Sequence, residues 1–178
     1  MKIIKVSLLG IFFISLISCS KDDESKREIS GSLIGQWNLT EFEYSGYSET
    51  KVDGMSMRAD YAGIAENIDA SMTFHENGTF ESEGVYDVIL TGEGMTLPYR
   101  DISYESSGNY VVSGNRIDIT NFEGTSTPGA YEVASEKEMI IVGLTDSRLV
   151  LDVSENTTIT EEDAEALISI SGQYVFSR

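Results

Sequence analysis

The chain has 178 residues, with 30 acidic against 12 basic side chains, a formal charge of −18, 40% hydrophobic residues and one cysteine. That length suits a single domain whose core can be stable without disulfides, and one cysteine allows no internal bridge. Charge of this sign and size repels the phosphates of nucleic acid, so no nucleic-acid partner is expected, and it favours a soluble, monomeric body.

The first element is a leader. Lys2 and Lys5 form a cationic start, residues 6–17 form an apolar stretch, and the small residue Ser18 precedes Cys19. The stretch is shorter than the roughly 20 apolar residues a bilayer span requires, and fits the core of a cleavable signal peptide. Leu16-Ile17-Ser18-Cys19 resembles the lipobox of bacterial lipoproteins, which implies cleavage before Cys19 and acylation of its thiol by palmitate-type chains. Removing residues 1–18, which carry two lysines, leaves 160 residues and a formal charge of −20. Residues 19–32 are polar and charged, with Ile29 their one large apolar side chain, and read as a flexible acidic tether. Lys21-Asp22-Asp23 is similar to the short acidic signal that directs Bacteroidetes lipoproteins to the outer leaflet of the outer membrane. The expected location is therefore the bacterial outer membrane, at the cell surface, with the membrane as partner through the N-terminal lipid.

From Leu33 onward the pattern has period two, the mark of strands with one buried face. Leu33 to Tyr44 predicts the first strand. Ile68, Ala70, Met72 and Phe74 share one face of a second, and Glu76-Asn77-Gly78 marks a hairpin in which Asn-Gly supplies the positive φ angles of a tight turn. Tyr110 and Val112 lead into a second turn at Ser113-Gly114-Asn115, and Ile117 and Ile119 lead out. Tyr131 and Val133, Met139 to Leu144, and Leu149 to Val153 predict three further strands, and residues 173–178 predict the last. Residues 45–67 and 92–107 lack strong alternation and are expected to be mouth or lid loops. One short helix is expected before the last strand, capped by Thr160, with Glu161, Glu162 and Asp163 in its first turn and Ala164, Ala166 and Leu167 packing. The fold class is all-β, an up-and-down antiparallel barrel of about eight strands.

Gly35-Gln36-Trp37 opens this domain and Tyr174-Val175-Phe176-Ser177-Arg178 closes it, with the hairpin Phe74 to Phe80 between. Residues 33–178 resemble the lipocalin-like lipoproteins of Bacteroidetes, in which a Leu-x-Gly-x-Trp start, a Phe-x-x-x-Gly-x-Phe hairpin and a closing Tyr-x-Phe-x-Arg recur. The resemblance implies barrel closure by Gly35, Trp37 and Arg178, with the arginine across the indole as a cation–π contact.

Eight strands enclose either a packed interior or room for one small ligand. Ile68, Met72, Phe74, Phe80, Tyr86, Val88, Tyr110, Val112, Ile117, Ile119, Met139, Ile141, Leu149 and Leu151 form the expected inward set. Met72, Phe74, Phe80, Tyr86, Val88, Tyr110, Ile117, Ile119, Ile141 and Leu151 are the candidates for contact with a small apolar or amphipathic ligand. The alternative is a filled barrel serving as an accessory or protein-interaction module.

No enzyme is expected. His75 is the one histidine, it falls on a polar face, and no nucleophile stands beside it in sequence. No cofactor is expected either. Asp152, Ser154, Asn156, Thr158 and Asp163 follow the spacing of a calcium loop, but Thr157 stands where the loop needs glycine and Asp163 where it needs glutamate. The pattern reads more simply as a solvated connection, and no metal site is assigned.

Overall fold

The computed structural model describes residues 29–52, 54–127, 135–161 and 164–178. Eight strands run β1 (Gly35–Val52), β2 (Met55–Phe74), β3 (Thr79–Gly92), β4 (Met95–Ser113), β5 (Arg116–Thr127), β6 (Ser135–Leu144), β7 (Arg148–Glu161) and β8 (Ala164–Ser177). Each pairs antiparallel with its sequence neighbour, and β8 returns to β1, so the sheet closes into a barrel in chain order. Closure removes both free edges, which is how an all-β chain of this length avoids edge-to-edge aggregation.

The two ends of the barrel differ. At one end, which we call sealed, lie the turns β2–β3, β4–β5 and β6–β7 with the C-terminus; Trp37, Phe74, Phe80, Ile117, Leu149 and Leu151 here are the largest fully buried side chains. The hairpins β1–β2, β3–β4 and β7–β8 project at the other end. Ile29 bridges to Leu144, and Ser30 N–H donates to the Leu144 carbonyl at 2.8 Å, so the N-terminal segment enters at the sealed end.

Several expectations are corrected. No helix forms among the described residues: Thr160 and Glu161 continue β7, while Ala164, Ala166 and Leu167 belong to β8, where they pair with β1 at Val52, Thr50 and Glu49. Strand pairing outweighs the local capping signal: Thr160 and Glu161 pair with β8, and Ala164, Ala166 and Leu167 pair with both β1 and β7, which satisfies their backbone groups. The two segments expected as loops are also strands, forming the long upper parts of β1, β2 and β4. Their alternation is weak because both of their faces approach solvent near the open end. In the β2–β3 turn only Gly78 takes a positive φ, of 82°; Asn77 instead accepts from the Thr79 N–H and hydroxyl at 3.0 and 2.8 Å. Val112 is 43% exposed, because β3 begins opposite Asn109 and so ends short of it. Cys19, the tether as far as residue 28, Tyr131, Val133 and Asp163 lie outside the described residues.

Candidate functional site: a two-chambered barrel interior

The floor of the barrel is packed. The Trp37 indole is fully buried, and its Nε1–H donates to the Leu33 carbonyl at 2.8 Å. The Arg178 guanidinium lies 3.8 Å from the indole centroid and donates to the Ser32 carbonyl at 3.0 Å and to the Ile34 carbonyl. Gly35 has φ of 115°, and a β-carbon there would stand 3.3 Å from Arg178 Nη2, so glycine both permits the turn and makes room for the guanidinium. Phe74, Tyr110, Ile117 and Ile141 are buried in the same core, and Ile119 packs against it. The Tyr110 hydroxyl leaves this core to donate to the His75 carbonyl at 2.8 Å. These five candidates therefore build the floor.

Above the floor the interior opens. A lower chamber of about 270 Å³ is lined by residues that include Met72, Phe80, Ser82, Tyr104, Leu151 and Phe176. An upper chamber of about 430 Å³ is lined by Phe42, Tyr44, Tyr61, Val88, Tyr99 and Glu155 among others. Tyr86, Ser126, Val153 and Tyr174 border both, so the two adjoin. Of the ten sequence candidates, Met72, Phe80, Tyr86, Val88 and Leu151 face these chambers. Among the described residues β5 and β6 pair only at Arg116 opposite Ile140 and Ile117 opposite Met139, and the lower chamber reaches this seam through Phe122, Gly124 and Met139.

An aromatic column runs up one wall. Phe176 stacks on Tyr174 at 6.2 Å, Tyr174 on Phe42 at 4.2 Å with planes 8° apart, and Phe42 on Tyr44 at 5.2 Å. Tyr61 on β2 meets Tyr44 edge-on at 6.4 Å, and Tyr86 on β3 meets Phe42 edge-on at 6.0 Å. Burial pushes the phenol of Tyr86 up to about 12, with the Tyr104 and Tyr44 hydroxyls adding to the rise. Burial raises Tyr174 further, and also raises Tyr44, Tyr61 and Tyr104. All five are therefore neutral hydroxyls at physiological pH. Ser82 Oγ lies 3.2 Å from the Tyr104 hydroxyl and donates to the Ser71 carbonyl at 3.0 Å, fixing one polar point in the lower chamber.

Most of this column was not legible in the alternation, and the reason lies in the β-bulges. Trp37 and Leu39 face inward on β1, but the pairing with β8 slips between Leu39 and Glu41, so the inward parity changes and Phe42 and Tyr44 point in. Thr40 occupies the slip, its hydroxyl donating to the Val175 carbonyl at 3.0 Å. The same inversion brings Tyr61 inward on β2 past Asn67, and Tyr99 inward on β4 past Asp101. Asn67 and Asp101 adopt φ of 51° and 54°, and one side chain holds both: Asp87 accepts from Asn67 Nδ2 at 2.7 Å, from the Asp101 N–H at 2.9 Å and from Arg100 Nη1 at 2.7 Å. These bonds hold the Asp87 carboxyl down at about 2. A bulge that re-aims a side chain in this way is a recurrent device beside binding sites.

The remaining sequence candidates lie elsewhere. His75 sits at the sealed-end turn, 3.9 Å from Glu81 and away from both chambers. Asp152, Ser154 and Asn156 lie along β7, an extended strand in which Asp152 Oδ1 accepts from Gln173 Nε2 at 2.9 Å. No cluster of metal-ligating side chains occurs among the described residues.

Comparison with known proteins finds no match among curated proteins. Residues 33–151, from the segment beneath Trp37 to the first residues of β7, match the family described as the lipocalin-like domain. With that match over most of the chain and a closed barrel of eight antiparallel strands, the protein belongs to the lipocalin-like domain family.

Proposed function

We propose that this protein binds a small apolar or amphipathic molecule inside its barrel while tethered by lipid to the bacterial outer membrane. The observation that carries the binding reading is the upper chamber: about 430 Å³, within the range of small-molecule sites, lined mainly by aromatic and aliphatic side chains with a few polar tips. A filled barrel would have no such volume. The one histidine lies at the opposite end of the barrel from the upper chamber.

The sealed-end entry of the N-terminal segment supports the anchoring reading. Ile29 lies ten steps along the chain from Cys19, at most about 35 Å, so acylated Cys19 would hold the floor toward the membrane and the mouth away from it. A ligand would then arrive from the aqueous side.

The test is native mass spectrometry of the protein purified from its own host, followed by titration with the neutral fluorophore N-phenyl-1-naphthylamine. A co-purifying small molecule, or saturable one-to-one enhancement lost in Ser126→Trp, is expected, because Ser126 borders both chambers. Absence of both would remove the binding reading.

A further inference from the structure

Where the two chambers meet, two tyrosine hydroxyls stand without a hydrogen-bond partner among the described residues. Tyr86 on β3 and Tyr174 on β8 line both chambers, and Phe42 holds them in place, stacked on Tyr174 at 4.2 Å and met edge-on by Tyr86 at 6.0 Å. The two phenols lie within electrostatic reach of each other. No unpaired side-chain polar atom among the described residues is fully covered, so both hydroxyl oxygens keep open surface, on the side where the chambers lie. Tyr104, whose ring is 5.6 Å from that of Tyr86, differs from them. Ser82 has one hydroxyl proton, which goes to the Ser71 carbonyl at 3.0 Å, so at 3.2 Å its Oγ accepts from the Tyr104 hydroxyl. Burial keeps Tyr86 and Tyr174 protonated at physiological pH, which leaves two O–H donors at the junction.

We infer that the junction recognises an internal carbonyl, of a ketone or an ester, in a ligand with an apolar part on either side of it; this rests on the binding reading above. An apolar body filling both chambers cuts the two donors off from water, and a buried O–H without an acceptor is costly. One carbonyl oxygen has two lone pairs, enough for both donors, and brings no proton that needs an acceptor of its own. A ligand hydroxyl does bring one. A carboxylate ends the molecule it belongs to, so at the junction it would leave one chamber without an occupant. Yet both chambers are apolar, with Met72, Leu151 and Phe176 in the lower and Val88, Leu90 and Ile102 in the upper.

The experiment displaces N-phenyl-1-naphthylamine with benzophenone, diphenylmethanol and diphenylmethane, which carry a carbonyl, a hydroxyl or no oxygen between the same two rings. The reporter's own affinity is measured for each variant. Benzophenone should bind the wild type most tightly, although its oxygen makes it less hydrophobic than diphenylmethane, and this ranking needs no variant. Tyr86→Phe and Tyr174→Phe should each weaken benzophenone about threefold or more, as one net hydrogen bond does, and leave diphenylmethane within about twofold. Tyr47→Phe, which removes a phenol hydroxyl beneath Arg58 and outside both chambers, should leave all three probes within about twofold. Diphenylmethane binding the wild type as tightly as benzophenone, or Tyr86→Phe and Tyr174→Phe shifting all three probes alike, would overturn the inference while leaving a binding barrel in place. If the wild type neither carries a co-purifying small molecule nor saturates with the reporter, the binding reading itself falls and takes this inference with it.

Discussion

Replacing Trp37 by alanine tests the sealed end directly. The indole has no exposed surface, donates one hydrogen bond at 2.8 Å to Leu33, and carries the Arg178 guanidinium on its face at 3.8 Å. Truncating a buried tryptophan costs about 3–5 kcal/mol, combining lost transfer energy with the cavity left behind. The hydrogen bond accounts for about 0.5–1.5 kcal/mol. The cation–π contact accounts for about 0.5–1 kcal/mol, the lower part of its range, because Arg178 is largely exposed. In a domain of this size each kcal/mol lowers Tm by about 2–4 °C, so a fall of about 10 °C is expected. Trp37 is the only tryptophan, so fluorescence reports unfolding of the wild type but not of this variant. Urea unfolding followed by far-ultraviolet circular dichroism serves both. A double-mutant cycle with Arg178→Met should give a coupling of about 0.5–1 kcal/mol. A loss below about 1 kcal/mol for Trp37→Ala, or no coupling to Arg178, would refute the account of the sealed end.

Three other outcomes are expected. Asp87 titrates near 2 in the folded protein, below the ordinary carboxylate value of about 4, so its stabilisation is present above pH 4 and is lost as pH falls toward 2. Wild type and Asp87→Asn should therefore converge in urea midpoint between pH 4 and 2, and an unchanging gap would contradict the bulge assignment. Tyr86 is raised from about 10 to about 12, so its contribution is complete below pH 10 and disappears as pH climbs through 12. Ultraviolet titration should show one late-ionising phenol fewer in Tyr86→Phe, a substitution expected to change stability at pH 7 by less than about 1 kcal/mol. Cys19→Ala should abolish incorporation of labelled palmitate and release the protein from the membrane fraction; retention of the label would place the acyl chain elsewhere.

The floor and the lower chamber were legible where alternation is unbroken. Met72 and Phe74 on β2, Phe80 on β3 and Leu149 and Leu151 on β7 follow period two from a marked turn, and all are buried or packed on the core. Of the upper chamber only Tyr86 and Val88 were, since Phe42, Tyr44, Tyr61 and Tyr99 each lie beyond a slip in register. In the sequence Asn67 and Asp101 are unremarkable polar residues of apparent loops. Asp87 gives no local sign that it binds both of them.

The sequence by itself determined the all-β class, most of the strands and the hairpin turns, because these depend on side-chain period and on backbone preferences of neighbouring residues, while closure by Gly35 and Trp37 was an implication of the family resemblance. Only the tertiary structure decided that Thr160, Glu161 and residues 164–167 are strand, that the expected loops are strands, and which tyrosines face the interior. The physical reason is that a bulge changes which face a strand presents, and its stability comes from partners distant in the chain, as when Asp87 joins Asn67 to Asp101 across two neighbouring strands.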